Sequence, residues 1–577
     1  MQTFDNVGAT PYDAPVLIVG GGPVGLGLAL ELAYRNVRSI LIERGDGVVR
    51  YSKMGHVSVR SMEHCRRWGV AEAVRNCGFP RDYPLNQVFC TSLNGQHIAT
   101  IEYPSISQER ATDLSPETKQ RCPQLWFDPI LARAAANSPR VTLRYNTCLE
   151  EFAEDELGVT AVVSDTGSGD RHGIRVRYLA ACDGSGSTVR RALGIPLEGD
   201  PVLSYSVGIY FTARDLIKHH KMGPGSRYWM VGEEGTWGNL TVVDAKDVWR
   251  LTVTGSKERV EADSFDAHAW LRRCLGRDDI PYHIDTVLPW RRSRLVAASF
   301  GRGRVYLAGD ACHVNAPNGG YGMNTGLGDA VDLGWKLQGV LEGWAPPELL
   351  DTYEIERRPI AQRNVDAAAV NFTLTRPNLS YHQVEAYSPA GEATRARLAD
   401  HMVRNTTQEW ETLGVHLGYR YEGSPIIVTD GTAAPEDHLS RYVPTARPGH
   451  RAPHVALPDG TSILDLYGHS FVLLRFDGKG SPDADPSVAA VVAAARKQGV
   501  PLAVHAIADE SARVLYERRF VLVRPDGHVA WRGDRLPEAA ATLIGTVTGW
   551  DLAESGPAQR AKGAVRADLQ PLTGGSP

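Results

Sequence analysis

The feature that most constrains this chain lies at residues 16–43, VLIVGGGPVGLGLALELAYRNVRSILIE. Apolar residues at 16–19 predict a short buried strand, and a second strand is predicted at 39–42. Between them, the glycine pattern Gly20-x-Gly22-x-x-Gly25 is followed by apolar residues with helical spacing. Gly20 permits a tight turn, Gly22 lets the backbone approach a pyrophosphate, and Gly25 lets the helix pack on the strand. The pattern therefore predicts a dinucleotide site.

The surroundings of the glycines support this interpretation. A helix that begins there offers unpaired N–H groups and a partial positive charge to phosphates. Glu43 ends the second strand about 20 residues further on, where an acid accepts a hydrogen bond from a ribose 2′-hydroxyl. The stretch at 16–33 contains five glycines, a proline and Glu31, which argues against a membrane helix.

The composition is that of an ordinary globular chain of 577 residues, long enough for more than one domain. Hydrophobic residues make up 42% and charged residues 22%, and the net charge is −5. No basic block indicates a nucleic-acid partner, and no later stretch is apolar and long enough for a membrane span. Residues 1–15 carry two aspartates and no apolar segment, so we expect no signal peptide.

The eight cysteines are scattered, without a CxxC motif or a metal-ligand spacing. This distribution favours reduced thiols, a cytoplasmic location and no metal site.

Further along the chain, β-branched and aromatic runs at 203–255 predict a separate sheet inserted into the dinucleotide-binding domain. A strand at 304–308 ends on Gly309-Asp310, and a loop then opens a long helix that reaches about residue 341. A helix is also predicted from His56 to Trp68. The region from 446 alternates strands and helices, with Asp485 as the predicted N-cap of a helix at 486–497 and a hairpin turn at Asp526-Gly527.

Three separate motifs each follow an apolar strand: GGGPVG at 20–25, CDGSGSTVRRALG at 182–194, and RVYLAGDACHVNAPNGGYGMNTGLGDAVDLGWKL at 304–337. Together they resemble the group A flavoprotein aromatic hydroxylases, which have the p-hydroxybenzoate hydroxylase fold, over residues 14–370. PGHRAPHVAL at 448–457, DLYG at 465–468 and VRPDGHVAWR at 523–532 are similar to the thioredoxin-like extension of the larger phenol and polyketide hydroxylases.

The resemblance implies an α/β chain in which a Rossmann-like FAD-binding domain carries an inserted substrate-domain β-sheet and a C-terminal thioredoxin-like domain. The FAD-binding domain is expected at 14–75, 121–200 and 285–370, and the substrate-binding domain at 76–120 and 201–284. A helical and loop connection would occupy 371–445, the thioredoxin-like domain 446–550, and a loosely ordered tail 551–577. The C-terminal region contains no cysteine, which excludes dithiol chemistry and favours a structural or oligomerisation role.

The resemblance also assigns FAD contacts. They would come from Gly20, Gly22, Pro23, Gly25, Glu43, Arg44, Arg121, Gln124, Asp183, Asp310, Pro317, Gly320, Gly322, Met323 and Asn324. Glu43 would take the adenosine ribose, with Arg44 beside it. Pro317 would lie beside the flavin ring, and the glycine-rich loop that opens the long helix would direct N–H groups at the negative charge of reduced flavin. We expect His313 to brace its loop, and Lys53, Arg60 and Glu63 to be mainly structural.

The implied function is an FAD-dependent monooxygenase that hydroxylates a phenolic or hydroxylated heteroaromatic ring. It would use NAD(P)H as a transient co-substrate, and O2 through a flavin C4a-hydroperoxide. A hydroxylase or epoxidase of a polycyclic polyketide or antibiotic is the first alternative. A catalytically silent flavin-binding protein is the second. The chain has no second GxGxxG after a strand and no WxWxIP segment, which disfavours disulfide reductases, Baeyer–Villiger enzymes and flavin halogenases.

The substrate pocket is the least constrained part of the prediction. Its candidates are polar or aromatic residues in segments expected near the flavin, namely His56, Tyr205, Tyr210, Arg227, Trp229 and Trp237. Packing within the sheet explains each of them equally well, so we assign no catalytic base. The resemblance leaves the substrate open, because apolar pocket walls discriminate by only about 1–3 kcal/mol per methylene. A homo-oligomer is expected.

Overall fold

The computed structural model describes residues 12–477 and 485–554. The expected absence of a signal peptide concerns residues 1–15, of which 1–11 are not described. Of the loosely ordered tail expected at 551–577, residues 551–554 belong to the helix Trp550–Glu554 and the rest is not described. Within the described residues, no helix combines the length and the apolar character that crossing a bilayer requires.

The strands of the described residues fall into three larger sheets and one short pair. In chain order they are β1 (Ala14–Val19), β2 (Ser39–Ile42), β3 (His56–Val57), β4 (Gln87–Cys90), β5 (His97–Ile101), β6 (Gln120–Arg121), β7 (Val141–Arg144), β8 (Thr147–Glu154), β9 (Val159–Asp165), β10 (Arg171–Ala181) and β11 (Leu197–Thr212). They continue with β12 (Arg227–Gly232), β13 (Gly235–Val242), β14 (Val248–Ser256), β15 (His283–Ala297), β16 (Gly301–Arg302), β17 (Val305–Leu307), β18 (His313–Val314), β19 (Phe471–Arg475), β20 (Leu502–Ala506), β21 (Phe520–Val523) and β22 (Val529–Gly533).

The α-helices cover the sheets and connect them. They are α1 (Pro23–Tyr34), α2 (Val59–Arg67), α3 (Ala71–Arg75), α4 (Gln124–Ala136), α5 (Thr188–Ala192), α6 (Ala267–Leu275), α7 (Tyr321–Glu342), α8 (Asp351–Leu374), α9 (Pro389–Asn405), α10 (Leu413–Leu417), α11 (Pro486–Lys497), α12 (Glu510–Tyr516), α13 (Ala540–Thr548) and α14 (Trp550–Glu554).

The first sheet has the strand order β16-β17-β10-β1-β2-β7, and β9 and β8 extend it from β10. Strands β17, β10, β1, β2 and β7 run parallel. Strand β1 and the C-terminal part of β10 are apolar runs, and β2 and β17 are buried along their whole length, as strands covered on both faces must be. The predicted Rossmann-like sheet is confirmed.

The second sheet has the order β18-β15-β11-β14-β13-β12-β4-β5. It joins strands from the two segments predicted to form the substrate-binding domain. The structure differs at the predicted boundaries 201 and 284, because β11 begins at Leu197 and β15 continues to Ala297. These two strands pair along most of their length. Each of them therefore crosses a predicted domain boundary without a turn that would mark the boundary in the sequence.

The third sheet, β20-β19-β21-β22, lies in the C-terminal region. Helix α11 begins at Pro486, and the Asp485 side chain accepts a hydrogen bond from Ser487 N, as the predicted cap requires. The helix predicted from His56 is corrected: α2 begins at Val59, because the Ser58 side chain accepts from Ser61 N and caps it. His56 instead belongs to the short strand β3, which pairs with β6.

Candidate active site

A cavity of about 430 Å³ opens where three parts of the fold meet. The starts of α1 and α7 form one side of it. Strands β12 to β14 of the second sheet form another, together with the loop at 52–56. The third side is a short segment of the connection that includes Glu409, Trp410 and Thr412. The first two parts are the ones that the glycine motifs and the inserted sheet predict.

The glycines at the start of α1 are set by steric constraints. A Cβ on Gly20 would lie 2.4 Å from the Cys182 carbonyl oxygen, and one on Gly25 would lie 2.0 Å from the Gly20 carbonyl oxygen. Gly20 also has a φ of +107°, which favours glycine. A Cβ on Gly22 would meet nothing within 4 Å, and Gly22 and Pro23 line the cavity. The first turn of α1 therefore points its free N–H groups into open space.

Glu43 is close to this turn but does not line the cavity. Its Oε2 accepts from Gly21 N at 2.7 Å and its Oε1 from Gly45 N at 2.8 Å, so the carboxylate braces the glycine turn. Arg44 is exposed. The ribose contact of Glu43 and the role of Arg44 stay predictions.

The loop before α7 and the first residues of that helix complete the same side of the cavity. Asp310, Pro317, Gly320, Gly322 and Met323 all line the cavity. Gly320 adopts a φ of +67° and caps the first turn of the 22-residue helix α7, so the positive end of this helix faces the cavity. Burial in the surrounding protein raises the pKa of Asp310.

Asn324 connects this helix to α2 through its side chain. Its Oδ1 accepts from Ser58 N at 2.9 Å and from Ser61 Oγ at 2.7 Å. Its Nδ2 donates to the carbonyl oxygens of His56 and Gly320. The side chain is thus fully used in holding two elements together, and only its backbone remains for a ligand.

Behind the loop, Asp329 organises a buried charge cluster. Its Oδ2 accepts from His313 Nε2 at 2.8 Å and from Gly309 N at 3.1 Å, and its Oδ1 accepts from Arg357 Nε at 2.8 Å. Burial opposes the charged form of His313, but Asp329 outweighs burial and raises its pKa. Cys312 lies close by. The geometry gives His313 a bracing contact, in line with its predicted role.

Three more residues assigned to FAD lie at the cavity wall. Arg121 and Gln124 line it, whereas Asp183 lies just behind it. Asp183 accepts from Thr188 N and therefore caps the start of α5, while its neighbours Cys182 and Gly184 line the cavity. Arg121 lines the cavity and donates to the Val242 carbonyl oxygen. Burial, with Arg227 and Arg250 nearby, lowers the pKa of Arg121 to about 10. Gln124 also lines the cavity, and its side chain accepts from Lys53 N and donates to Asp128.

Two of the six substrate-pocket candidates, His56 and Arg227, line the cavity. Tyr210 lies behind the wall, where its hydroxyl donates to the Ser52 carbonyl oxygen. Tyr205, Trp229 and Trp237 do not line the cavity either, and a contact of these residues with the substrate stays a prediction.

Packing explains the positions of these three. Trp229 stacks on Phe89 in a separate apolar cluster. Trp237 packs on Trp270 in the core of the second sheet. Tyr205 lies at a bulge of β11, where the register with β14 shifts.

The sequence did not indicate two groups that line the cavity. Arg250 lies on β14 between the buried residues Trp249 and Leu251, and this alternation is a signal that could have placed it on the cavity face. Glu409 ends a short 3₁₀ turn and Trp410 follows it, in a segment without any motif. Only tertiary packing brings them to the cavity.

The residues present suit FAD. Two helix N-termini face one cavity, and the open positions at Gly22 and Gly322 leave room for close approach to the backbone. This donor set matches a ligand that combines an anionic pyrophosphate with a flat ring system. Fold and site therefore define a flavin-dependent oxidoreductase of the Rossmann type with an added substrate sheet.

Comparison with known proteins gives the family. A model described as "FAD binding domain" matches residues 13–368, and one described as "Aromatic-ring hydroxylase, C-terminal" matches residues 445–550. The chain is 32% identical to 4-methyl-5-nitrocatechol 5-monooxygenase of Burkholderia sp, over 92% of this chain and 97% of the relative. It is 32% identical to a putative polyketide hydroxylase of Streptomyces halstedii, over 93% and 96%.

Among solved structures, RebC with bound 7-carboxy-K252c superposes with a TM-score of 0.86 at 37% identity, over 94% of this chain and 100% of RebC. The chain belongs to the FAD-dependent aromatic-ring monooxygenases. FAD is its cofactor, O2 is a co-substrate, and the electrons come from a reduced pyridine nucleotide or a reduced flavin. The family, the fold class and the enzyme class predicted from the sequence are confirmed.

Proposed function

We propose that this enzyme hydroxylates a phenolic ring that binds in the cavity against β12 to β14. The observation that carries the proposal is the division of the cavity into two sides. Helix N-termini and glycines form one side, and arginines with Trp410 form the other. The first side suits a cofactor, and the second suits an aromatic ring with a negatively charged oxygen.

FAD would be held by the residues that the sequence singled out on the first side of the cavity. Gly20, Gly22, Pro23 and Gly25 would serve the pyrophosphate, and Asp310, Pro317, Gly320, Gly322 and Met323 would serve the ribityl chain and the ring. When bound, FAD would supply the redox chemistry, in which electrons taken from NAD(P)H reduce O2. The chain's own task is to orient the substrate beside that ring and to exclude water.

The charge on the second side favours an ionised substrate. Arg227 and Arg250 line this side of the cavity, and among the described residues Glu409 is the carboxylate paired with Arg227, at 3.3 Å from its Nη1. Positive charge near a phenol stabilises its phenolate and lowers its pKa. A phenolate is more electron-rich than a phenol and therefore reacts more readily with an electrophilic oxygen.

A substrate screen tests this proposal. Holoenzyme is mixed with NADPH or NADH and with simple phenols, catechols or polycyclic hydroxyaromatics, and consumption of the nucleotide and of O2 is followed. A substrate should accelerate nucleotide oxidation and give a product with one added oxygen. Activity with polycyclic compounds alone would favour the polyketide alternative. Failure of every compound to accelerate the reaction would refute the proposal and favour a silent flavin-binding protein.

Two further expectations concern the location and the self-association of the protein. The cytoplasmic location and self-association predicted from the sequence stay proposals. Size-exclusion chromatography with light scattering tests self-association. A structural role for the cysteine-free C-terminal region is supported by the ion pairs that join it to the first sheet's helices, such as Arg524 with Glu356.

A further inference from the structure

Glu409 is a buried carboxylate on the substrate side of the cavity. Among the described residues that line the cavity, the other carboxylate is Asp310, which lies on the cofactor side, with its Oδ1 3.8 Å from the position of a Cβ on Gly322. Glu409 is instead paired with Arg227 on the substrate side. Glu409 is the one that a bound aromatic ring would meet.

The hydrogen bonds of Glu409 hold it in place and leave capacity to accept another. Its Oε1 accepts from Gly319 N at 3.2 Å and from Arg227 Nη1 at 3.3 Å. Its Oε2 accepts from Asn318 Nδ2 at 3.4 Å, which is a long hydrogen bond. A carboxylate has about four acceptor sites, so Oε2 has room for a strong additional donor.

Arg227 gives the site rigidity. Its guanidinium lies 4.9 Å from the centre of the Trp410 ring and 5.3 Å from that of Trp229. Because the cation is held between two indoles, the carboxylate paired with it is also fixed relative to the loop at 317–320.

Several charged or titratable groups face Glu409 from the surrounding elements. Arg227 of β12 and Arg292 of β15 lower its pKa, and Tyr103 and Tyr321 lie near enough for Glu409 to raise theirs. Burial outweighs the arginines, so that the pKa of Glu409 is raised. A carboxylate with a raised pKa is a stronger base, better matched to a phenol.

We propose that Glu409 is a catalytic base that takes the proton of the substrate's ring hydroxyl. The O–H bond of the substrate breaks, the proton moves to Oε2, and the electron pair stays on the ring oxygen beside the arginines. When the product becomes aromatic again, the C–H bond at the hydroxylated ring carbon breaks and its proton passes to solvent. The proton on Oε2 returns to the ring oxygen, so the residue ends the cycle unchanged. This inference rests on the proposed phenolic substrate.

The test compares Glu409→Gln with wild type over phenols of graded acidity that the screen identifies as substrates. Glu411→Gln is the matched control, because Glu411 is exposed two residues away. For weakly acidic phenols, kcat/KM should fall about 10²–10⁴-fold, the range for loss of a general base. For phenols already ionised at the assay pH, the loss should be less than about threefold. The acid limb of the wild-type pH profile should disappear in the variant.

Ligand binding provides a readout that is independent of turnover. With oxidised holoenzyme, 4-nitrophenolate should bind about tenfold more tightly to Glu409→Gln, because a like charge has been removed from beside the ring oxygen. Equal loss of activity for every phenol, or weaker binding of 4-nitrophenolate, would overturn the proposal and leave Glu409 as a structural partner of Arg227. If no phenol is hydroxylated by the wild-type enzyme, the proposed function fails instead.

Discussion

Arg524→Met should destabilise the whole molecule, because Arg524 lies at the centre of a buried charge network between the C-terminal region and the first sheet's helices. The Arg524 side chain is fully buried. Its guanidinium donates to Glu356 of α8 at 2.5 and 2.9 Å, to Asp526 at 2.6 Å and to Asp332 of α7 at 3.3 Å. Lys336 binds both Asp332 and Glu356 at 2.7 Å. Three carboxylates thus share two cations.

Methionine would leave Asp332 and Glu356 with Lys336 as their shared cation and would remove the guanidinium that pairs with Asp526. Breaking a buried pair by removal of one partner costs about 3–5 kcal/mol. If roughly 540 residues unfold together, the entropy of unfolding is about 1.1 kcal/mol/K, so the Tm should fall by about 3–4 °C. The double variant Arg524→Met with Glu356→Gln should recover part of this loss, because it also removes one unpaired charge.

Thermal unfolding followed by circular dichroism and by release of FAD fluorescence measures the effect. Arg513→Met is the control, since Arg513 pairs with Glu510 on the surface and should change the Tm by less than about 1 °C. Both signals should shift together in Arg524→Met, because the network joins the two regions. A Tm equal to that of the control, or FAD release that stays at the wild-type temperature while the C-terminal region unfolds earlier, would refute the reasoning.

Three further predictions concern the cavity and its support. Gly25→Ala should abolish FAD retention, because its Cβ would lie 2.0 Å from a backbone oxygen. Gly173→Ala is the control and should retain FAD, because a Cβ there meets nothing within 4 Å. Equal FAD content in the two purified variants would contradict this prediction. His313→Gln should destabilise the protein most at pH values below 6.5, because Asp329 stabilises the charged ring in the folded state. The destabilisation should decrease as pH rises through the raised pKa of His313. A Tm difference from wild type that does not vary between pH 6 and 9 would argue against this ion pair. Arg250→Met should raise the KM for an ionised phenol about tenfold with little change in kcat, as loss of charge at the cavity wall predicts, and an unchanged KM would place the substrate elsewhere.

Local sequence signals predicted the starts of two helices. The glycine spacing gave the turn before α1, and Asp485 with Pro486 gave the start of α11, because caps and turns depend on a few adjacent residues. The start of α2 was missed by three residues. Ser58 caps this helix, but a competing apolar pattern extends one residue before it, to Val57.

The substrate side could not be predicted in the same way. Trp229 and Trp237 have the composition expected of a pocket, yet side chains alternate between the two faces of a strand, and both pack into apolar clusters. The sequence around Glu409 does not predict its burial, because a carboxylate in a polar segment is expected to be exposed to solvent. Its burial depends on how the connection folds over the cavity, which involves residues that are about 90 or more positions away in the chain, such as Gly319.

The turn of the β21–β22 hairpin shows the same limit and gives the cysteine-free region a physical role. Its sequence, RPDGH at 524–528, is typical of an exposed turn, yet Arg524 and Asp526 are buried. The turn also accepts hydrogen bonds from Arg35, which follows the last residue of α1, at Pro525 O and from Arg60 of α2 at Asp526 O.

Helix α1 begins at the cavity, and α2 is tied to the start of α7 by Asn324. Without this turn, Glu356 and Asp332 would lose a cation that they share in the interior, and α1 and α2 would lose a common support. The C-terminal region therefore completes the core on which the cofactor side of the cavity is built, and this role requires buried arginine and aspartate rather than a reactive thiol.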